Sequence, residues 1–410
     1  MVRRRGARFV TTTVSPPLTS LADPATSPAL AKKLLVLCPF PQGVAAGQRL
    51  KYEQYFDDWQ ADGYDITVSS FMDEALWKIV YASGNIPAKV LGVLRGHLRR
   101  IRDMFRLKNY DVIYVFMWVT PFGTSLFERL VRRLGARVIY DLEDNVLVGH
   151  KLKGADNLNR LTTILKGSRK ARFLICTADH VITSSPFLND DCLKLNQAGR
   201  CTYITSSVDT DRYHVRQTPN PSGKVTLGWT GTFSSRPFLD LLRPVFMRLA
   251  RERDFRLVVI GNFDYALEGV DLEVIQWTNV REITDLQQFD IGLYPLPIDD
   301  WVLGKSGLKV IQYMAMGIAS VSTKVGTTPM IIEDGVTGLL VESEDDWLGA
   351  LHKLIDDADL RQRMGARARK VAEQRYSLRS VRNLYRSVIN ETAEAAAPDK
   401  HILKLPQSRI

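Results

Sequence analysis

No apolar stretch approaches the roughly 18 residues that a membrane-spanning helix needs. The longest candidate is the strand-like run from Val112 to Val119, so a spanning helix is not expected. Cysteine is scarce. The four residues Cys38, Cys176, Cys192 and Cys201 form no C-x-x-C pair, which argues against a zinc ribbon and a disulfide framework and fits a reducing cytosol. The six histidines have no ligand spacing, so His97 and His150 read as surface or packing residues. No repeat of roughly 20 to 50 residues recurs, which excludes a solenoid or propeller. G-x-G-x-x-G is absent too, and this disfavours a dinucleotide-dependent dehydrogenase.

What is present is an ordinary globular composition, 45% hydrophobic and 24% charged. A chain of 410 residues is long for one core and suits two domains of about 150 to 200 residues each. Lys and Arg number 55 against 45 Asp and Glu, a net charge of +10 that favours anionic partners. Residues 1–30 are Arg-rich at the start, then rich in Ser, Thr and Pro, and read as a flexible basic arm. No apolar segment follows before Leu34, which weighs against an export signal.

From Lys32 the pattern becomes regular. Leu34-Leu35-Val36-Leu37-Cys38 is a continuous apolar run that reads as a strand buried on both faces of a parallel sheet. A glycine-containing loop and a helix from Gln48 to Asp62 follow, and strands are expected at 65–69, 111–115, 137–140 and 180–183. After the stretch Thr218 to Gly223, taken as a linker, strands recur at 225–229, 255–261, 272–276, 291–294, 319–322 and 338–341. Helices are expected at Arg236 to Arg251, at Lys309 to Met316, from Ser343 with Asp346 as a capping box, and from Ser377 to about Asn390. This alternation predicts an α/β chain with two Rossmann-like doubly wound domains facing a central cleft. The expected divisions are 31–217, 218–375, a terminal helix at 376–395 crossing back to the first domain, and a tail at 396–410.

Ligands of open parallel sheets sit beyond the carboxyl ends of the strands, so the loops there carry the chemistry. The sharpest runs from Pro297 to Gly317. Gly304 and Gly307 allow close backbone approach, Ser306 can cap the next helix, and the helix start offers unpaired N–H groups. Lys305 and Lys309 can neutralise phosphate oxygens, and Gln312 can bond a ribose. The bland alternative is a capped surface helix with solvated lysines. Gly43 and Gly47 in the first loop give close approach to a diphosphate-sugar, with Arg49 as its partner.

These residues resemble family 4 of the glycosyltransferases with GT-B architecture, over roughly Leu34 to Ile389. Lys305 to Gly317 is similar to a K-x-x-x-K-x-x-Q-Y-M-A-x-G stretch of one subgroup, followed by Val325-Gly326 and Ile331 to Leu340. Gly228-Trp229-Thr230-Gly231 and Val259-Ile260-Gly261 support it, and Asp141-Leu142-Glu143-Asp144 resembles an acidic first-domain loop. Departures are equally definite. Where many members have two glutamates eight positions apart, this chain has Gly304 and Gln312, so the first role falls to Asp299, Asp300 or nothing. Thr232 occupies the usual Arg position, leaving Arg236 as the nearby cation, and Glu143 stands where a His is common.

The resemblance implies a hexosyl- or other glycosyltransferase. It would move a sugar from a nucleoside diphosphate donor to a glycan, lipid-linked or small-molecule acceptor hydroxyl, with anomeric retention, in glycan, glycolipid or cell-surface polysaccharide assembly. Lys305, Lys309, Glu143 and Asp144 are then the catalytic candidates. Gly43, Gly47, Arg49, Gly231, Arg236, Gly304, Ser306 and Gln312 are the donor-binding candidates. No metal or cofactor is implied, although Asp141, Glu143 and Asp144 admit a metal clamp as an alternative to a sugar contact or a structural turn. A non-catalytic nucleotide-sugar-binding subunit and a sugar-nucleotide epimerase are the rivals, and nucleic acid is not an expected partner because aromatics do not interleave with the basic run. That run, Ile86 to Lys108, carries Lys89, Arg95, Arg99, Arg100, Arg102, Arg106 and Lys108 against Asp103, with Val90, Leu94, Leu98, Ile101 and Phe105 at helical spacing. Two uses are open: adsorption on an anionic membrane face, or packing of the apolar stripe on the domain's own sheet. The expected location is the cytosol, including the inner face of the membrane.

Overall fold

In the computed structural model, residues 31–143, 168–218 and 223–395 are described. The expected arm, Asp144, His150, the centre of the linker and the tail lie outside them. The short β-branched runs form two parallel sheets. β1 (Lys32–Cys38), β2 (Tyr64–Ser70), β3 (Val112–Phe116), β4 (Val138–Asp141), β5 (His180–Thr183) and β6 (Cys201–Tyr203) order as β2-β1-β3-β4-β5-β6. β7 (Val225–Thr230), β8 (Phe255–Gly261), β9 (Asp271–Gln276), β10 (Ile291–Tyr294), β11 (Ala319–Thr323) and β12 (Leu339–Val341) order as β12-β11-β10-β7-β8-β9. Every residue of β3 and β10 is buried, as helices on both faces of a parallel sheet require.

Around the first sheet run α1 (Ala46–Arg49), α2 (Phe56–Ala61), α3 (Glu74–Val80), α4 (Ile86–Arg106), α5 (Leu126–Leu134), α6 (Ser168–Thr177) and α7 (Pro186–Leu195). The second half carries α8 (Arg236–Asp240), α9 (Arg243–Glu252), α10 (Glu282–Leu286), α11 (Leu308–Ala315), α12 (Thr328–Ile331), α13 (Glu344–Asp356) and α14 (Ala358–Arg375). The last helix, α15 (Leu378–Glu394), packs Val381, Tyr385, Val388 and Ile389 into the first lobe's core beside Leu34, Tyr55 and Trp59. The chain therefore crosses between lobes twice. The crossings run side by side: Val208 N–H donates to Tyr376 O (2.9 Å) and Leu378 N–H to Val208 O (3.2 Å). Arg369 pins the first crossing by donating to the carbonyls of Tyr213 and Thr210.

The capping box of Ser343 and Asp346 and the N-cap of Ser377 form as the sequence indicates. Two expected helices are broken. Gln48 to Asp62 splits because the buried Gln48 side chain is committed to the backbone of Phe40 (3.0 and 3.1 Å) and to Glu53 (2.9 Å), and a 3-10 turn at Glu53–Tyr55 separates α1 from α2. Arg236 to Arg251 splits at Leu241–Leu242 because Pro244, lacking an N–H, restarts the helix as the second residue of α9.

α4 excludes one of the two uses left open for it. Its apolar stripe does not pack on the sheet; the inward residues are Gly92, Gly96, Arg100, Asp103 and Met104. A methyl on Gly92 would strike Leu76, and one on Gly96 would strike Phe71, so the glycines let the helix lie close against α3 and the end of β2. Arg100 then caps the strand ends. Its guanidinium donates to Cys38 O (2.8 Å), Ser69 O (3.0 Å) and Val119 O (2.8 Å), and it pairs with the buried Asp103 (3.1 Å).

Candidate functional site

In each sheet the site is set by the strands where the winding reverses: β1 beside β3, and β7 beside β10. In the second lobe the loop after β10 turns on Asp299. Its carboxylate accepts from the N–H of Trp301 (2.7 Å) and Val302 (3.3 Å) and opens a 3-10 turn over Asp300–Gly304. Asp299 is thereby occupied as a cap, which weakens it as a stand-in for the missing first glutamate. The chain enters α11 through Gly307 at φ 72, where a Cβ would collide with Ile331. Ser306, expected to cap this helix, is instead buried one residue earlier, and the N-cap residue, Gly307, has no side chain to cap with. The first N–H groups of α11 thus present their partial positive charge without an acceptor from their N-cap residue.

Both lysines stand at that helix start against aromatic faces. Lys305 Nζ lies 4.1 Å from the Trp301 ring centroid. Lys309 Nζ lies 4.8 Å from the Trp229 ring and 5.9 Å from that of Tyr294. Burial, reinforced by the neighbouring Lys305 charge, lowers the Lys309 ammonium to a pKa of about 7. Gly231 sits under the same Trp229: a Cβ there would overlap the indole edge and crowd Ser235 Oγ. Thr232 and Ser235 form a reciprocal cap in the loop after β7, and the N–H of Phe233 donates to Asn262 (2.8 Å). Arg236 pairs with Asp240 (3.7 Å) and lies 5.9 Å from the Tyr265 ring, so its charge has an intralobe partner.

The first lobe contributes the loop after β1. Gly43, at φ 78, donates its N–H to Glu53 (2.8 Å), while its carbonyl accepts from Asn279 of the second lobe (3.3 Å). Gly47 is required by Glu143, because a Cβ would overlap the Glu143 carboxylate. Ser184 Oγ lies within bonding reach of the Glu143 carbonyl and of the Gly304 carbonyl (2.9 Å), so one hydroxyl bridges the acidic loop and the lysine loop. Gly47, Glu143 and Gly304 are brought together. Asp141 serves differently: fully buried, it pairs with Lys51 and accepts from the Tyr114 hydroxyl, and burial raises its carboxyl against the opposing pull of Lys51. Among the described residues no group of three or more His, Cys, Asp or Glu side chains could hold a metal ion.

Arg49 and Gln312, expected on the donor, meet each other through two residues that sequence reasoning missed. Arg49 Nη2 pairs with Glu282 Oε2 at 2.6 Å, and Tyr213 donates to the same oxygen (3.0 Å). Gln312 Nε2 reaches Tyr213 Oη (3.3 Å) and Glu282 Oε1 (3.4 Å). All four side chains are buried. Glu282 and Tyr213 belong to no motif; both lie with Gln312 in the second lobe, and Arg49 reaches them from the first.

Two parallel-sheet lobes joined by a double crossing, with loops converging from both switch points, define the GT-B architecture of glycosyltransferases. Residues 224–357 match the family described as Glycosyl transferases group 1. A D-inositol 3-phosphate glycosyltransferase of Corynebacterium diphtheriae is 41% identical over 146 residues, 31% of this chain and 33% of that protein. One from Paenarthrobacter aurescens is 41% identical over 153 residues, again 33% of its length. The chain thus aligns with about a third of each of these curated relatives. Among solved structures, sucrose-phosphate synthase of Thermosynechococcus elongatus superposes with TM-score 0.64 at 14% identity, covering 88% of this chain and 99% of that one. Anabaena HepE in complex with UDP and glucose superposes with TM-score 0.61 at 14% identity, covering 88% and 100%. The resemblance to GT-B glycosyltransferases holds in the fold of the whole and in the sequence of the second lobe.

Proposed function

We propose that the protein is a retaining, family 4-like glycosyltransferase that moves a sugar from a nucleoside diphosphate donor to an acceptor hydroxyl. The observation that carries this reading is the pair Lys305 and Lys309 beside the uncapped start of α11, at the switch point of the second sheet. As the glycosidic bond of the donor breaks, negative charge grows on the departing diphosphate and an oxocarbenium-like centre forms on the sugar. Two ammoniums and a helix start stabilise that charge without a metal. Lys309, half-protonated near pH 7, takes up a proton as the diphosphate docks. Glu143, held over Gly47, is placed to contact a sugar or acceptor hydroxyl. Gly231 and Gly304 allow backbone approach. In this structure Arg49 and Gln312 are engaged by Glu282, and they reach the donor once that network exchanges partners.

HepE binds UDP and UDP-glucose, which makes UDP-glucose the first donor to test. The acceptor is a glycan, lipid-linked or small-molecule hydroxyl in glycan, glycolipid or polysaccharide assembly, and the reaction takes place in the cytosol. A second reading rests on Gly304 and Gln312 in place of two glutamates: a partner subunit that binds the nucleotide sugar without transferring it. Titrating the purified protein with UDP-, GDP- and ADP-sugars while assaying released diphosphate separates the two, since a binder gives heat and no product. Transfer is expected to persist with a chelator present. Absence of binding to every nucleotide sugar overturns the proposal.

A further inference from the structure

α4 is built opposite to an ordinary amphipathic surface helix. Its inward face holds two glycines and a buried Arg100–Asp103 pair, while its long apolar side chains point to solvent. Ile86 is 70% exposed, Leu94 56%, Leu98 65% and Phe105 84%, with Val90 and Ile101 between them on the same face. An isolated exposed leucine means nothing, but six apolar residues in one stripe along a 21-residue helix form a contiguous patch. At about 1.5 Å per residue the helix is long enough to lie along a surface.

On α4 itself the charge beside this stripe is of one sign, and the carboxylates nearest its inner edge are Asp73, 3.8 Å from Arg99, and Glu74 in the same cleft. Arg95 and Arg102 follow it on the helix circumference, both exposed, and neither has a carboxylate partner among the described residues. Arg99 and Arg106 lie one step further around, towards the body of the protein, where Arg99 donates to the carbonyls of Ser70 and Phe71 (2.7 and 2.8 Å). The only acid of α4 is Asp103, which is buried beneath Arg100 and Arg106. A two-fold dimer through this face would set its arginine edge against its own copy with no carboxylate of the helix to compensate. A surface that is apolar within and negative at its rim matches both parts.

We propose that the outward face of α4 seats the protein on an anionic membrane surface, its apolar stripe in the acyl boundary and Arg95 and Arg102 among lipid phosphates. The inference stands independently of the proposed reaction, because it is read from binding alone. The test is flotation of the full chain with phosphatidylcholine vesicles, with and without about one part in three phosphatidylglycerol. Partition should favour the anionic vesicles and fall as salt rises. L98Q/F105Q should cut partition at least about tenfold, and R95Q/R102Q about 30-fold at low salt, from about fivefold per cation. Thermal melting should be unchanged, since all four side chains are exposed. Failure to bind anionic vesicles, equal binding to neutral ones, or binding that both variants retain overturns the proposal. So does a dimer in sedimentation that L98Q/F105Q dissociates while the parent ignores vesicles.

Discussion

Replacing Lys309 by methionine tests the site most directly, because the same ammonium sets two opposite pH dependences. In the free protein it titrates at about 7, lowered by burial and by Lys305. A docked diphosphate supplies the missing countercharge and returns it towards the ordinary lysine value of about 10. Donor affinity should then be flat below pH 7 and fall about tenfold per pH unit above it, which amounts to about 50-fold between pH 7 and 9. Stability runs the other way. The unfolded lysine binds its proton up to about pH 10 and the folded one releases it near 7. The fold of the parent therefore gains stability as pH rises through that window, and below pH 7 it bears the cost of keeping that partly buried ammonium charged. Lys309→Met keeps a stem against Trp229 and Tyr294 and removes the charge. It should be more stable than the parent at pH 6, by a margin that shrinks towards pH 10, while binding donor more weakly at neutral pH. Calorimetric titration with UDP-glucose at pH 8, in two buffers of different ionisation enthalpy, measures proton uptake, expected near one per donor bound. No uptake, a flat affinity from pH 7 to 9, or an unchanged slope in the methionine variant would refute the reasoning.

Two further outcomes follow from buried contacts. Glu282→Ala leaves the Arg49 guanidinium buried without its carboxylate and should cost about 3–5 kcal/mol in denaturant unfolding. Arg49→Met with Glu282→Leu should recover most of that loss, and full stability in the single variant would remove the interlobe pair from the account. Gly47→Ala drives a methyl into the Glu143 carboxylate, so turnover should fall by about 10- to 100-fold, as in Glu143→Gln, with little change in melting. Equal turnover in parent and Gly47→Ala would separate Glu143 from the reaction.

Strands were the legible part of the sequence, because buried parallel strands read as apolar β-branched runs bounded by turns. β6 escaped this reading: Cys201–Tyr203 is a half-buried three-residue edge in polar surroundings. α14 escaped because its buried face is Met364, Gly365, Ala368 and Ala372, small residues that leave little apolar signal in an Arg-rich segment. Gly365 is there for contact, since a Cβ would overlap the carbonyl oxygen of Gly317. Which face of α4 packs was not legible for a related reason: glycine and a fully satisfied arginine form its packing surface. At the site, glycines and lysines were visible as local spacing. Glu282, Tyr213 and Ser184 were not, because their meaning depends on residues far away in the chain. Ser306 lost its expected role to Gly307, whose left-handed backbone makes the turn into α11.

The paired crossings at Val208 and Ser377 make the joint between the lobes a two-ply strap. A single strand would swivel in every direction, but two strands bonded edge to edge resist twisting and yield chiefly by flexing about the line across them. Opening of the cleft is thereby confined to something like a book cover on its spine, and each return brings Ser184 back to the same carbonyl of Gly304.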